Sequence, residues 1–202
     1  MMHRSCLDNS NTTLVLDTSV IINLSKSKYS YQILEQVPNH LVVVNQVMEE
    51  LQAGSSVFQD INYLIKQGIL HLTKLDETSS LLFEELIMGF GSNLENLDDG
   101  ESATIAYAQT TKSTALLDEK KGLNLCSREL PTLKTATSFD LFTHNQVIKH
   151  LGLELVRESL QNALIFARMR IIPEHYDVLI QIVGPEFAKT CASLPTTLRN
   201  QL

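Results

Sequence analysis

Two aspartates stand at the ends of apolar segments whose pattern predicts buried strands. The segment "TLVLD" (13–17) ends at Asp17, and the segment "STALLD" (113–118) ends at Asp118. A carboxylate beside apolar residues is costly to bury unless something compensates its charge. The strands of a parallel α/β sheet bring their carboxyl ends to one edge, where sites form. We therefore expect Asp17 and Asp118 to be neighbours, although they are far apart in the sequence.

Two further carboxylates belong to predicted helices. Glu50 lies in "VMEEL", on the helix after the second strand, and Glu101 lies in "DDGES", at the start of the helix before the third acidic segment. Taken alone, each of these acids has an ordinary explanation as a solvated helix residue or as a favourable charge at a helix N-terminus. Glu49 and Asp99 would replace Glu50 and Glu101 if the helix register differed, and we otherwise assign Asp98 and Asp99 to a loop.

The four carboxylates together predict more than each one alone. Acids gathered at one sheet edge repel each other, which raises their pKa values if nothing compensates their charge. Hard divalent cations such as Mg²⁺ remove that cost, because they prefer carboxylate and water oxygens as ligands. A site of this kind activates water and stabilises an in-line displacement at phosphorus. No side chain is an evident nucleophile, so we expect water to attack the phosphate.

An alternation of strands and helices positions these acids. Further strands are predicted in "HLVVVN" (40–45), "ILHLTKL" (69–75) and "LKTAT" (133–137), and helices lie between them. Thr18 or Ser19 is the expected cap of the first helix. Helices alone are predicted from Ser138 onward. The pattern predicts a three-layer α/β/α sandwich with a central, mostly parallel sheet of four or five strands and additional C-terminal helices.

Composition excludes several other classes of protein. Among the 202 residues, 44% are hydrophobic and 19% are charged, as in an ordinary globular domain. The three cysteines, Cys6, Cys126 and Cys191, form no CxxC pair, and we interpret Cys126 as a core residue. They suit a reduced cytoplasm, which is the expected location. No segment approaches the ~20 apolar residues of a membrane span, so we expect no membrane association.

The net charge of −7 is unevenly distributed. Residues 1–111 hold 5 Lys and Arg against 14 Asp and Glu, whereas residues 112–170 hold 9 against 6. An acidic chain does not attract nucleic acid as a whole, so a polyanion would have to bind through a local basic surface or through cations. Lys120 and Lys121 directly follow the acids after the third buried segment and are candidates for such a surface.

The acidic segments, in their order, resemble the PIN-domain family, and within it a prokaryotic group that has a Gly-Glu helix before the third acidic strand. The matching segments are "LVLDTSVIINL", "VVVNQVMEEL", "LDDGESATIAYA" and "TALLDEKKG". Each motif is weak alone, and their order and spacing cover roughly residues 13–150. We divide the chain accordingly into an N-terminal tail (1–12), a PIN-like domain (13–150) and a helical extension packed on the same unit (151–202).

The resemblance implies a ribonuclease that depends on Mg²⁺ or Mn²⁺. It implies metal ligation by Asp17, Glu50, Glu101 and Asp118, with Ser19 as a polar neighbour of the site. RNA is the implied substrate. Many small proteins of this kind look like toxins of toxin–antitoxin pairs, so an antitoxin protein is an implied partner, and a homodimer is left open.

Three alternatives are weighed against this interpretation. A haloacid-dehalogenase-type phosphatase needs a second acid two residues after the first, and Ser19 stands there. A response-regulator receiver also places carboxylates at strand ends, but it needs a phospho-acceptor aspartate and a late lysine. A PIN-fold binding or scaffold protein with weak or lost nuclease activity stays open, and metal binding would distinguish it from an enzyme.

Overall fold

The computed structural model describes Leu7 and residues 9–89 and 97–202. Strands and helices alternate between Leu14 and Ala136. The strands are β1 (Leu14–Leu16), β2 (Leu41–Val44), β3 (His71–Thr73), β4 (Thr114–Leu116) and β5 (Lys134–Ala136). The α-helices in the described residues are α1 (Thr18–Lys26), α2 (Ser30–Glu35), α3 (Asn45–Glu50), α4 (Ser56–Lys66), α5 (Glu77–Gly89), α6 (Asp99–Thr111), α7 (Lys120–Glu129), α8 (Ser138–Phe142), α9 (Asn145–Asn162), α10 (Tyr176–Val183), α11 (Pro185–Thr190) and α12 (Thr196–Arg199).

The chain forms two compact units. The sheet unit consists of Asn9–Ile21 and Asn39–Thr137. The helical unit contains Ile22–Pro38 and Ser138–Leu202. All four acids that the sequence singles out belong to the sheet unit. The boundary that we predict at residue 150 stays a prediction.

The sheet unit confirms the predicted fold class. Its five strands are all parallel and lie in the order β3-β2-β1-β4-β5, flanked by helices in an α/β/α arrangement. The register pairs Leu14 with Leu41 on one side of β1 and Leu16 with Leu116 on the other. Strands β1, β2 and β4 are buried at every residue. Continuous apolar strands of this kind are typical of parallel sheets covered on both faces.

The direction in which successive strands are added to the sheet reverses after β3, so that β1 and β4 are neighbours. The chain moves outward from β1 to β2 and β3, and then returns to the other side of β1 to form β4 and β5. Because nearly all crossovers between parallel strands are right-handed, these two sets of connections lie on opposite faces of the sheet. The carboxyl ends of β1 and β4 therefore flank the crevice in which open α/β sheets bind ligands.

Helix α6 forms the centre of the sheet unit. It packs against β1, β2 and β4 and also against helices α3, α5 and α7. Its residues from Gly100 to Ala106 are all buried, and the alanines at 103, 106 and 108 allow this close approach. The first turn of α6 is therefore fixed on several sides, which matters because Glu101 lies in it.

The helical unit has its own buried residues. Phe139 and Phe142 of α8 are its largest fully buried side chains, and the Asn162 amide donates a hydrogen bond of 3.2 Å to the Ser27 carbonyl. The buried Asp140 and His175 approach to 3.6 Å between Oδ1 and Nε2, and the His175 ring stacks on Phe139 with 4.7 Å between centroids. Packing therefore connects the C-terminal residues to α8.

Two glycines with positive φ lie where helical structure ends or is interrupted. Helix α3 ends at Glu50, because Leu51 adopts an extended conformation and its side chain is buried. Gly54 has a φ of +83° and lies in the turn before Ser55, whose hydroxyl caps α4. Gly152 has a φ of +79° and interrupts the helical geometry of α9.

Parts of two predicted segments lie outside the described residues. They are most of the predicted tail (1–12), which includes Cys6, and residues 91–96, which were predicted to form a loop. Leu97 and Asp98 are irregular, and α6 begins at Asp99.

Within the described part of the chain, none of the helices combines the length and the apolar character that crossing a membrane requires.

Candidate metal site at the sheet edge

Asp17 and Asp118 follow neighbouring strands at the same edge of the sheet. Asp17 comes directly after β1, and its backbone N–H donates to the Leu116 carbonyl of β4 at 3.2 Å. Asp118 lies two residues beyond β4, and the intervening Leu117 continues the pairing by donating to the Ala136 carbonyl at 2.9 Å. Both aspartates are buried, at 3% and 5% exposure. The tertiary structure thus brings two acids from distant parts of the sequence to one edge.

Asp17 also caps helix α1. Its carbonyl accepts the Ile21 N–H at 3.1 Å, and its Oδ2 accepts both the Ser19 hydroxyl at 2.6 Å and the Ser19 N–H at 3.2 Å. The expected cap was Thr18 or Ser19, and that prediction is wrong by one or two positions. The carboxylate takes this role because aspartate accepts a backbone N–H at a helix start as well as a hydroxyl does. Its other oxygen, Oδ1, is buried and accepts no hydrogen bond.

Glu101 lies in the first turn of α6 with its carboxylate against the start of α7. The residue is 3% exposed, and its Oε1 is buried without a hydrogen-bond partner. The backbone N–H of Gly122 lies near this carboxylate and lowers its pKa, although other effects dominate. A Cβ atom at position 122 would lie 2.7 Å from the Glu101 Cδ and closer still to its Oε1. Gly122 therefore makes room for Glu101.

Glu50, at the end of α3, accepts hydrogen bonds through both oxygens. Oε2 accepts the Thr18 hydroxyl, and Oε1 accepts the Gly100 N–H at 2.5 Å. These bonds connect the ends of three helices, α1, α3 and α6. Glu50 is the most exposed of the four acids. Thr18 is not among the predicted site residues, although its position directly after Asp17 is a usable signal.

Asp98, predicted to be a loop residue, lies at the start of α6. It is the N-cap of α6, and its Oδ1 accepts the Glu101 N–H at 2.8 Å. An acid that precedes a glutamate by three residues, as Asp98 precedes Glu101, is the pattern of a helix capping box. That pattern is visible in the sequence and would have placed Asp98 beside the site.

Three of the four predicted site carboxyl groups have raised pKa values. Burial raises the pKa of Asp17 to about 7, and the Asp98 charge adds to this, while the Ser19 hydrogen bonds oppose it. Burial raises the pKa of Glu101 to about 8, with further contributions from the charges of Asp17, Asp98 and Glu119. Burial also raises the pKa of Glu50, against the hydrogen bonds from Thr18 and Gly100. Burial is the largest cause at all three groups, and the charge of Asp98 adds to each shift.

The two candidate lysines lie at the start of α7. Lys120 and Lys121 are the first residues of this helix, and both are exposed. Positive charge in the first turn opposes the helix dipole, so this position is locally unfavourable for a lysine. Ser19, the third candidate for substrate contact, is half-buried and bonded to Asp17. Glu49 and Asp99, the substitutes for Glu50 and Glu101, are both exposed.

The chemistry of these residues fits a divalent cation. Asp17 Oδ1 and Glu101 Oε1 are buried oxygens without hydrogen bonds, and carboxylate oxygens are the ligands that Mg²⁺ and Mn²⁺ prefer. Metal binding would compensate both charges. Among the residues that the structure describes, no three His, Cys, Asp or Glu side chains converge into a ready metal cage. Glu50 is one of the acids predicted to contribute to such a cage, but its two oxygens accept hydrogen bonds from Thr18 and Gly100.

Comparison with known proteins adds one finding. Residues 13–185 match a protein-family model described as a PIN domain. The match extends beyond the acidic segments and includes α8, α9 and α10. No curated protein and no solved structure matches the chain.

Proposed function

Because the chain belongs to the PIN-domain family, we propose that it is a ribonuclease that hydrolyses RNA phosphodiester bonds with Mg²⁺ or Mn²⁺. PIN domains are generally nucleases and typically use divalent metal ions. The observation that supports the proposal most is the pair of buried oxygens, Asp17 Oδ1 and Glu101 Oε1, that lack hydrogen bonds. A divalent cation would compensate the cost of burying two such charged oxygens.

In this proposal, Asp17, Glu50, Glu101 and Asp118 hold the cation. A bound divalent ion would lower the pKa of a water molecule and neutralise charge that develops on the phosphate. Ser19 fixes the orientation of Asp17 through its hydrogen bonds. Lys120 and Lys121 contact phosphates of the RNA, since basic side chains at a helix start position the backbone without reading sequence. The attacking water forms the new P–O bond while the bond to the leaving oxygen breaks, and that oxygen takes up a proton.

Cleavage assays with matched variants test the proposal. The wild type should cut RNA with Mg²⁺ or Mn²⁺ and should stop when a chelator is added. Asp17→Asn and Asp118→Asn keep nearly the size of the side chain but remove one charge, so each should abolish cleavage without unfolding the protein. Asp99→Asn makes the same change at an exposed position and should cleave normally. Cleavage that persists in chelator, or an Asp17→Asn variant as active as the wild type, would contradict the metal mechanism.

A second candidate function is that of a binding or scaffold protein with weak or lost nuclease activity. The observation that favours it is the engagement of both Glu50 oxygens by Thr18 and Gly100, which removes one acid from ready metal ligation. A scaffold of this kind should neither cleave RNA nor bind Mn²⁺ in calorimetric titration. Binding of Mn²⁺ by the wild type would exclude it.

We further propose that the nuclease acts as the toxin of a toxin–antitoxin pair. The support is the resemblance of the Gly-Glu helix segment to that group of prokaryotic PIN proteins. Expression of the wild type should arrest growth, the Asp17→Asn variant should not, and a short neighbouring reading frame should relieve the arrest and copurify with the chain. Growth that continues in spite of measured RNA cleavage in vitro would separate the nuclease from the toxin role.

A further inference from the structure

The helical unit has a small surface that combines exposed apolar side chains with positive charge. Directly after α9, residues Ala163–Ala167 form a π-helical turn, and Ile165 and Phe166 within it are 55% and 58% exposed. Single exposed apolar residues are ordinary on a protein surface, whereas neighbouring large ones indicate an interaction surface. Turns of π-helix are rare and are frequent at functional sites. We call residues 165–168 the tip.

The backbone holds the tip in a defined shape. Arg168 ends the π-helical turn with a φ of +56°, a conformation that residues other than glycine adopt uncommonly. The Met169 N–H donates to the Ala163 carbonyl at 3.2 Å, and the side chains of Leu164 and Met169 are buried on either side of the tip. The exposed side chains are therefore presented by a packed backbone.

The segment around the tip has no acidic residue. Residues 159–173 contain two arginines, Arg168 and Arg170, and no Asp or Glu. Arg168 is exposed and forms no ion pair with any residue that the structure describes. In the helical unit, residues 22–38 and 138–202 hold 8 Lys and Arg against 7 Asp and Glu, whereas the sheet unit holds 7 against 15. A polyanion is therefore repelled less by the helical unit, and the tip is a locally positive part of it.

We propose that the tip is a contact surface for single-stranded RNA, in which Phe166 stacks on a base and Arg168 binds a neighbouring phosphate. An aromatic ring stacks on any base, and a guanidinium group matches the geometry of a phosphate. Two exposed apolar side chains supply far less than the roughly 800 Å² per partner that a stable protein interface buries, but one ring is enough to stack on one base. The inference rests on the proposed ribonuclease function and adds a substrate contact on a different unit from the four acids.

Four substitutions separate stacking from other apolar contact and from charge. Phe166→Ala removes the ring, Phe166→Leu keeps an apolar side chain without a ring, and Phe166→Tyr keeps the stacking face. Arg168→Gln removes the charge. Leu153→Ala and Lys28→Gln are matched controls in the same unit, because Leu153 is an apolar residue that is 43% exposed and Lys28 is an exposed basic residue with a φ of +72°.

The measurement is the fluorescence anisotropy of a labelled single-stranded RNA of mixed sequence, titrated with each protein in chelator at several salt concentrations. We expect Phe166→Ala and Phe166→Leu to bind about tenfold more weakly than the wild type, as for the loss of one stacked base, and Phe166→Tyr to bind normally. Arg168→Gln should bind more weakly and lower the slope of log affinity against log salt by about 0.7, which corresponds to one phosphate contact. Both controls should bind like the wild type, and all variants should melt at the wild-type temperature.

Cleavage kinetics give a second measurement that a merely structural role would not reproduce. A stacked base away from the reacting phosphate contributes equally to the ground state and the transition state, so its loss raises KM and leaves kcat unchanged. Phe166→Ala should therefore cleave RNA as fast as the wild type once the RNA is saturating. A fall in kcat with KM unchanged would contradict the inference.

The outcomes distinguish the inference from the proposed function. If the wild type cleaves RNA, but Phe166→Ala binds it equally well or the wild type shows no binding in chelator, the inference is wrong and the function stands. If the wild type neither binds nor cleaves RNA, both are wrong. Normal binding by Phe166→Leu would show that no base stacks on the ring. Self-association in gel filtration, or cosedimentation with phosphatidylserine vesicles, that Phe166→Ala abolishes would make the tip a protein or membrane contact and overturn the inference.

Discussion

The carboxylate of Glu101 occupies the space in which a side chain at position 122 would lie. A Cβ atom built on Gly122 would be 2.7 Å from the Glu101 Cδ, which is closer than atoms of these types approach in proteins. Gly122 is the third residue of helix α7, where glycine is usually unfavourable. Its cost is offset because only glycine lets the start of α7 pack directly against a buried acid of the candidate site.

Gly122→Ala should therefore destabilise the protein, although alanine is the better helix former. The new methyl group must displace Glu101, so we expect the free energy of unfolding to fall by about 1–3 kcal/mol, the usual cost of overpacking. Asn124→Ala is the control, because Asn124 is exposed on the same helix and alanine should be neutral or stabilising there. Urea unfolding of the three proteins measures this, and a Gly122→Ala variant as stable as the wild type would contradict the packing argument.

The stability of the metal-free protein should decrease between about pH 4 and pH 8 through Asp17 and Glu101. Their pKa values rise from 3.8 to about 7 and from 4.5 to about 8 on folding. Since the folded state binds these protons more tightly, their stabilising contribution is complete below the unfolded pKa values and is lost as the pH rises through the folded ones. For Asp17 this loss is roughly 4 kcal/mol, because the shift is about 3 pKa units at ~1.4 kcal/mol each.

The variants Asp17→Asn and Glu101→Gln isolate the contribution of each carboxyl group to the pH dependence of stability. Each variant removes one titrating group and leaves the others in place. Each variant should be more stable than the wild type at pH 8 in chelator, and the difference should shrink toward pH 4. Melting curves across this pH range test the sign. An advantage of the variants that grows as the pH falls would show that burial does not govern these two carboxyl groups.

Thr18→Val should destabilise the connection between α1 and Glu50. Valine keeps the shape of threonine but removes the hydroxyl that donates to Glu50 Oε2. We expect a loss of about 1 kcal/mol in the free energy of unfolding, as for a hydrogen bond to a partly exposed acceptor. Thr18→Ser keeps the donor and should lose less. Equal stability of the valine variant and the wild type would mean that water replaces this bond without cost.

Cys126 should be unreactive toward thiol reagents in the folded protein. Burial raises the pKa of its thiol to about 12, and the Glu101 charge adds to this, so almost no thiolate forms at neutral pH. The Cys6→Ser variant limits the assay to Cys126 and Cys191, both of which are buried. Labelling with a disulfide-forming reagent should be slow in buffer and complete in denaturant. Rapid labelling of Cys126 without denaturant would contradict its assignment as a core residue.

Much of the fold could be predicted from the sequence because its signals are local. The apolar runs around Val15, Val43 and Ala115 predict buried strands by themselves, and helices between such strands require a parallel sheet. The acids at 17, 50, 101 and 118 could also be selected, because each stands where an apolar run or a helix begins or ends. What each acid does at its position could not be predicted in the same way.

The tertiary structure decided the partners of those acids. Asp17 caps α1, and Glu50 accepts the Gly100 N–H across 50 positions of the chain because α3 and the start of α6 pack together. The Thr18 hydroxyl donates to the other Glu50 oxygen. Hydrogen bonds of this kind depend on how helices pack, and packing is a property of the whole sheet unit. The sequence by itself determined which strands and which acids the chain would have. Only the packing of α3, α6 and α7 at one sheet edge decided which carboxylate oxygens accept hydrogen bonds and which are buried without one.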